Sequence, residues 1–465
     1  MDDLTRKLAE YAVGFRPESM NAALVETITD HIIDALGCAV AAVDESPARI
    51  ARAVASESEG ARVGASVIGL KGRVPADQAA FCNATMARCL DYNDTFNGNR
   101  TGGHPSDMLA GILAAAERGG AGGRAVINGM HVAYEVFGTL ADEVALREFA
   151  TDQGAFLSVA VASAIAATQH FTLDQAAHAI SLALTTTMPL RCSRSGELSE
   201  WKGCATAHSV ANAVAVARLA ERGMQGPPHP FRGVDGFLQR IPVPLTLDRL
   251  GLVNDGKTVM ERTAIKFLPV EWGAQALVEK FLEISKRIRA DQIASIEIFG
   301  YEFLVKEIGG GRNDAREKWD PQTRETADHS LPYLLAVTLA DADISLASFE
   351  VERVRDPKLR PLMQKISVTL DPATKLLPPP RQPIRYKITL ADGSVIDETC
   401  EYPVGHPLHP AGPPSRDAVY AKFTKLTEPV LGGAASARLL SRLRELAALP
   451  RLDDLMGDLR SVPAH

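Results

Sequence analysis

Cysteine is scarce in this chain. Its 465 residues contain six, Cys38, Cys82, Cys89, Cys192, Cys204 and Cys400, and no two of them form a C-x-x-C pair. Several stand in apolar stretches with helical spacing, so they read as buried thiols and not as a metal or iron–sulfur ligand set. Long hydrophobic runs are also missing. The longest, such as Phe156 to Ala167, are too short to span a bilayer. Basic charge is not in excess, since 50 Lys and Arg stand against 57 Asp and Glu for a net charge of −7. That balance argues against a nucleic-acid binder. The first residues, MDDLTRKLAEYAVGF, carry acids where a secretory signal needs a basic start and an apolar core. Together these absences predict a cytoplasmic chain with neither membrane nor nucleic acid as a partner. Two tempting signals also lack their context. GGAGGR at 119–124 has no Gly-Lys-Ser/Thr ending and follows a helix, so it reads as a connection. His406 and His409 have ligand-like spacing but stand among prolines, without nearby acids or cysteines. No metal and no cofactor is expected.

What is present is an ordinary globular composition, 46% hydrophobic and 23% charged, in a chain long enough for two domains. Residues 1–270 show mostly helical spacing. Leu24, Ile28, Ile32 and Leu36 step along one face. Further helices are predicted at Pro47 to Ser56, Asp77 to Leu90, Ser106 to Arg118 and Ala125 to Glu143, then Phe156 to Gln169, Leu173 to Thr187 and Ala205 to Arg222. Their many alanines favour close helix–helix approach. Ala65 to Leu70 could form a strand or a loop. After about residue 270 alternation replaces helical spacing. Strands are predicted around Ile293 to Phe299, Ile366 to Leu370 and Ile384 to Leu390, with a turn at Asp392-Gly393 leading to Val395. Helices at Ala274 to Ser285 and His329 to Ala340 lie among them, and the proline-rich 377–383 is an excursion. Ser415 to Leu449 is helical again, with a break at Gly432-Gly433. The predicted fold is mainly α: a large all-α helical domain, 1–269 and 409–465, interrupted by a smaller α+β lid domain, 270–408.

Chemistry concentrates at DYNDTFNGNRTGGHPSD, residues 91–107, a glycine- and asparagine-rich loop between two helices. Asp91, Asp94, Thr95, His104 and Asp107 place carboxylates, a hydroxyl and an imidazole on a loop braced from both sides, a plausible acid–base site. Pro105 fits a first helical position, and Asp107 would then reach back to the cap. Arg191, Arg194 and Lys202 cluster around a later helix start. Lys266 stands in the apolar run AIKFLPV, and Tyr333 follows Pro332. Taken singly, Lys266 could snorkel to water and Tyr333 could be a core tyrosine.

Five motifs in order carry a resemblance to the MmgE/PrpD family, which contains 2-methylcitrate dehydratases and cis-aconitate decarboxylases. They are LDYNDTF with GHPSD at 90–107, RSGELSEWKGCA at 194–205, AIKFLPVEWGAQ at 264–275, ETADHSLPYLLAV at 325–337 and GHPLHP at 405–410. The resemblance implies the interrupted helical fold, a homodimer, and an active site containing Asp91, Thr95, His104, Lys202, Lys266 and Tyr333. Arg191, Arg194 and Gln153 are the accompanying candidates for substrate binding. Gln153 falls where decarboxylase-type members carry a histidine, and a glutamine exchanges no proton at neutral pH. The expected activity is therefore a cofactor-independent hydro-lyase acting on a di- or tricarboxylate, like 2-methylcitrate dehydratase. A cis-aconitate decarboxylase, a dicarboxylate epimerase and a non-catalytic carboxylate-binding homologue are the alternatives.

Overall fold

The structure, a computed structural model, describes residues 1–253, 256–377 and 381–464. Of the proline-rich excursion expected at 377–383, residues 378–380 lie outside the described residues. The chain divides into two units. The larger holds Met1–Arg191, Gly203–Ile265 and Ser415–His465, and the smaller holds Cys192–Lys202 and Lys266–Pro414. The fold is mainly helical, and a four-stranded mixed sheet lies in the smaller unit.

The larger unit is built around the helix Gly154–Thr168. All of its residues except Ala167 are buried, as expected of a helix apolar on every side. It packs along Gly123–Glu143. A Cβ on Gly129 of that neighbour would come within 2.8 Å of Ile112 Cγ2 and 3.0 Å of Thr168 Cγ2, so only glycine allows this approach. Ala22–Ala41, capped by Asn21 through the Leu24 N–H at 2.8 Å, is buried for most of its length. The returning helix Arg416–Leu431 docks on it, with Gly37 facing Phe423. The helices Asp3–Gly14 and Asp453–Arg460 carried no signal strong enough to be predicted. The expectation of mostly helical structure to residue 270 fails after Glu221. From there to Thr258 the chain is irregular, with only the short helix Phe237–Arg240 among the described residues. Pro227, Pro228, Pro230, Pro242 and Pro244 withhold the N–H groups a helix would need.

In the smaller unit the strand order is Ile366–Leu370, Ile293–Gly300, Ile384–Leu390, Val395–Cys400. The first pair is parallel and the other two are antiparallel. Simple alternation would send Ile293 and Ile296 to opposite faces, yet both are buried with Ile298. A register shift between Ile293 and Ser295 resolves this, because one extra residue flips the facing of everything beyond it. The helices Gln275–Ser285 and Leu331–Asp341 pack together and complete this core. Phe281 meets the Tyr386 ring at 5.7 Å.

Candidate active site

In the larger unit the chain leaves Ala76–Cys89 through Asp91, whose φ is +51°. Aspartate tolerates that left-handed backbone better than most side chains. Asp91 is buried and paired with Arg88, one turn back on the helix. The loop then forms a two-stranded hairpin, Phe96–Asn97 against Gly102–Gly103. Thr95 is tied to Ala264 by two backbone hydrogen bonds of 2.8 Å, and its hydroxyl donates to the Gly103 carbonyl at 3.2 Å. A Cβ on Gly103 would lie 1.8 Å from Gln153 Oε1 and 2.6 Å from Phe137 Cζ, so this hairpin position admits only glycine.

His104 follows. Its backbone N–H donates to Gln153 Oε1 at 2.7 Å, and its ring Nδ1 lies 2.8 Å from the Asp94 carbonyl. A carbonyl only accepts, so Nδ1 carries the proton and Nε2 is the atom that titrates. Nε2 stands 3.9 Å from Asp91 Oδ1.

Asp94 is the anchor beneath this arrangement. Its Oδ2 accepts from the Tyr134 hydroxyl at 2.6 Å and from His31 Nδ1 at 3.0 Å. Its Oδ1 accepts the Ser106 N–H at 3.0 Å. Burial, and then the Asp94 charge, push the Tyr134 phenol well above its ordinary range, which keeps it a donor. Asn93 donates to Ser106 Oγ at 2.8 Å and to Asp107 Oδ1 at 2.9 Å. Asp107 therefore does not reach back to a helix cap as expected. Pro105–Met108 is a 3-10 turn whose cap residue, His104, makes no side-chain cap bond, and the Asp107 carboxylate turns to Asn93 instead. The larger unit thus brings Asp91, Thr95, His104 and Gln153 together. Arg191 belongs to the same unit, half-buried, with its backbone N–H on the Ala150 carbonyl at 2.8 Å.

The smaller unit holds the remaining candidates. Lys202 is fully buried, with Nζ 2.6 Å from each oxygen of Asp328. Lys266 is fully buried as well and does not snorkel. Arg194 is buried. The Tyr333 hydroxyl donates to the Ser348 carbonyl, and burial raises its pKa, so it is no base at neutral pH. Burial raises the Glu325 carboxyl against the pull of Lys202. Burial also lowers Lys318, against the pull of Asp314. His406 is stacked on Trp272 and lies 4.6 Å from the Tyr402 ring, and its Nδ1 accepts the Leu408 N–H at 2.9 Å. His409 does the same for Ala411 at 3.2 Å. None of the six cysteines forms a disulfide, and only Cys192 is exposed.

Residues 6–243 match the MmgE/PrpD N-terminal domain, and residues 268–446 match the MmgE/PrpD C-terminal domain. The chain belongs to the MmgE/PrpD family. It is similar to a 2-methylcitrate dehydratase of Cupriavidus necator, 30% identical over 436 residues that cover 87% of this chain and 86% of that one. It is 28% identical over 402 residues to a 2-methylcitrate dehydratase of Salmonella typhi, covering 81% and 80%. A mitochondrial 2-methylcitrate dehydratase of Yarrowia lipolytica is 27% identical over 442 residues, covering 87% and 80%. In this MmgE/PrpD chain the sequence reading passed over four residues, two that contact Lys202 or its partner in the smaller unit and two that hold Asp94 in the larger. Asp328 and His329 form an adjacent pair just before the Ser330 cap of Leu331–Asp341, inside a motif already singled out. His31 and Tyr134 lie inside long helices, far from Asp94 in sequence, with no local mark of their role.

Proposed function

We propose that the protein is a cofactor-independent hydro-lyase acting on a tricarboxylate, in the manner of a 2-methylcitrate dehydratase. The observation that carries this reading is the His104 ring. Its Nδ1 is committed to the Asp94 carbonyl, and its Nε2 stands beside the Asp91 carboxylate as the proton-exchanging atom. The names of the relatives point to the same substrate class.

Dehydration breaks a C–H bond next to a carboxylate. The electron pair of that bond becomes the new π bond, and the neighbouring C–O bond breaks with its pair on oxygen. The departing hydroxyl takes one proton and leaves as water. His104 Nε2 is the base for the first proton, and Asp91 favours the imidazolium that forms. Thr95 contributes a hydroxyl at the same loop. Lys266, Arg191 and Arg194 supply positive charge for a substrate with several carboxylates, while Lys202 is held on Asp328. Tyr333, bonded to the Ser348 carbonyl, braces the core of the smaller unit. Gln153 holds the His104 backbone and has no proton to exchange, which sets dehydration ahead of decarboxylation.

The test is proton NMR of the enzyme mixed separately with 2-methylcitrate and with cis-aconitate. An alkene signal is expected from the first, with little or no itaconate from the second. Rapid itaconate formation with 2-methylcitrate unchanged would overturn the reading in favour of decarboxylation. Inertness towards both would return it to an epimerase or a carboxylate-binding protein.

A further inference from the structure

The smaller unit carries a proton-handling group of its own, made of Lys202, Asp328 and His329. Lys202 Nζ is 2.6 Å from Asp328 Oδ1, 2.6 Å from Oδ2 and 3.3 Å from the Glu325 carbonyl. An ammonium has three donors, and these three acceptors take them. Asp328 Oδ1 also lies 2.5 Å from His329 Nδ1, while that nitrogen is 3.4 Å from Lys202 Nζ. The ring could in principle accept from the lysine or donate to the carboxylate. The shorter distance is to the carboxylate, which only accepts, and the lysine donors already have better partners. Nδ1 therefore carries a proton, and Nε2 is the titrating atom. A carboxylate that fixes one ring nitrogen in this way sets the tautomer and raises the basicity of the other.

The local sequence builds this placement. Arg324–Ala327 ends at Asp328, and Ser330 caps Leu331–Asp341 through the Tyr333 N–H at 3.2 Å. Asp328 and His329 are thus held between two helix ends. The Asp328 carbonyl also accepts the Glu271 N–H at 3.0 Å. Other titratable groups in this unit coupled to Lys202 and Asp328 are Glu325 and Lys318, the latter with Asp314 and Glu307 beside it. Burial raises the Glu325 carboxyl against the pull of Lys202 and lowers the Lys318 amine against the pull of Asp314.

We propose that Asp328 is a positioning residue that fixes the Lys202 ammonium and the His329 imidazole together, and that His329 Nε2 donates the proton that turns the leaving hydroxyl into water. This rests on the hydro-lyase reading above. The balance closes: the C–O pair leaves on oxygen, His329 gives that oxygen its proton, water departs, and exchange with solvent returns the ring to its starting state.

Two measurements test it. The first needs no turnover. Nitrogen-15 NMR of the histidine rings, with His329 identified by its loss in His329→Gln, is expected to show neutral His329 protonated at Nδ1. A neutral His329 protonated at Nε2 would overturn the proposal. The second is the pH profile of kcat. With His329 as the acid, activity falls as pH rises through its pKa, and Asp328→Asn removes the charge that holds this pKa up. Asp328→Asn is therefore expected to move the alkaline limb to lower pH by about one unit and to lower kcat about tenfold. His329→Gln is expected to lower kcat about 100-fold with KM changed less than about threefold. An alkaline limb unmoved in Asp328→Asn, or near wild-type kcat in His329→Gln, would overturn the proposal; a purely structural role lowers the yield of folded enzyme and leaves the limb in place. Should His329→Gln fail to fold, the ring signal that moves in the isosteric Asp328→Asn identifies His329. Absence of turnover in the wild type would defeat the hydro-lyase reading, while the ring spectrum would still decide the His329 assignment.

Discussion

Asp94 and His104 are joined by one hydrogen bond and have opposite duties. Asp94 is fully buried and accepts from Tyr134, His31 and Ser106, so it holds the loop. His104 keeps its Nε2 outside that network and can react. Asp94→Asn would turn an amide NH2 towards buried donors and leave at least one of them unsatisfied. It is expected to cost about 3 kcal/mol of stability in urea denaturation and to abolish turnover as a consequence. His104→Asn is expected to stay within about 1 kcal/mol of wild type while losing about 10²–10⁴ in kcat. If the two variants lose stability equally, the division between holding and reacting is wrong. Asp91, Thr95 and His104 were legible in the sequence because they share one short stretch of turn residues. The partners of Asp94 were not, since His31 and Tyr134 lie 63 and 40 residues away on helices that look like ordinary core. Asp328 was equally hidden, because its meaning comes from a lysine 126 residues earlier.

Among the elements, the returning helix Arg416–Leu431 does more than cover Ala22–Ala41. Its Lys422 reaches Asp34 Oδ1 at 2.5 Å and the Tyr92 carbonyl at 2.8 Å, and its ammonium lies 4.1 Å from the Tyr92 ring centre. Burial alone would lower its pKa, and the Asp34 carboxylate more than reverses that, so the ammonium stays charged. The C-terminal segment is thereby tied to the residue next to Asp91. Removing one partner leaves a buried charge alone, so Lys422→Met is expected to cost about 3–5 kcal/mol in denaturant unfolding. The double variant Lys422→Met with Asp34→Asn is expected to lose clearly less than the sum of the two single losses, which a double-mutant cycle reads directly. Additive losses would mean the pair is not coupled. Helices and strands with long periodic stretches could be read from the sequence. The irregular 222–253 stretch could not, because backbone donors in it are satisfied by distant carboxylates. Asp2 takes the N–H groups of Phe231 and Arg232 at 2.9 and 3.1 Å, and Glu143 takes that of Thr246 at 2.7 Å. No local spacing encodes such bonds.

Across the whole molecule, the exchange of helical spacing for alternation near residue 270, and its return near 415, made the two-part architecture legible. What composition does not reveal is where the chain stores sensitivity to pH. Burial raises Glu135, in the larger unit, to about 7, although its carboxylate accepts the Val259 N–H at 2.7 Å. Burial likewise raises Glu279, in the smaller unit, to about 7, against the pull of the Val404 N–H at 3.0 Å. Burial lowers His131, one turn before Glu135, to about 4. The signs oppose one another. A carboxyl raised from 4.5 binds its proton more tightly in the folded chain, so its contribution is complete below pH 4.5 and is lost as pH rises through about 7. A histidine lowered from 6.5 resists its proton in the folded chain, so its contribution grows as pH rises from about 4 to 6.5. The two effects offset each other in that interval, and above it only the carboxyl loss continues. Glu135→Gln keeps an amide oxygen for the Val259 N–H and removes the ionisation. It is expected to gain on the wild type between pH 5 and pH 8 by on the order of 1–3 kcal/mol, measured by denaturation at both values. A gap between variant and wild type that is the same at both pH values would show that Glu135 does not titrate in this range. The slope left in Glu135→Gln is expected to fall further when Glu279→Gln is added, because the second carboxyl belongs to the other unit and is lost over the same window.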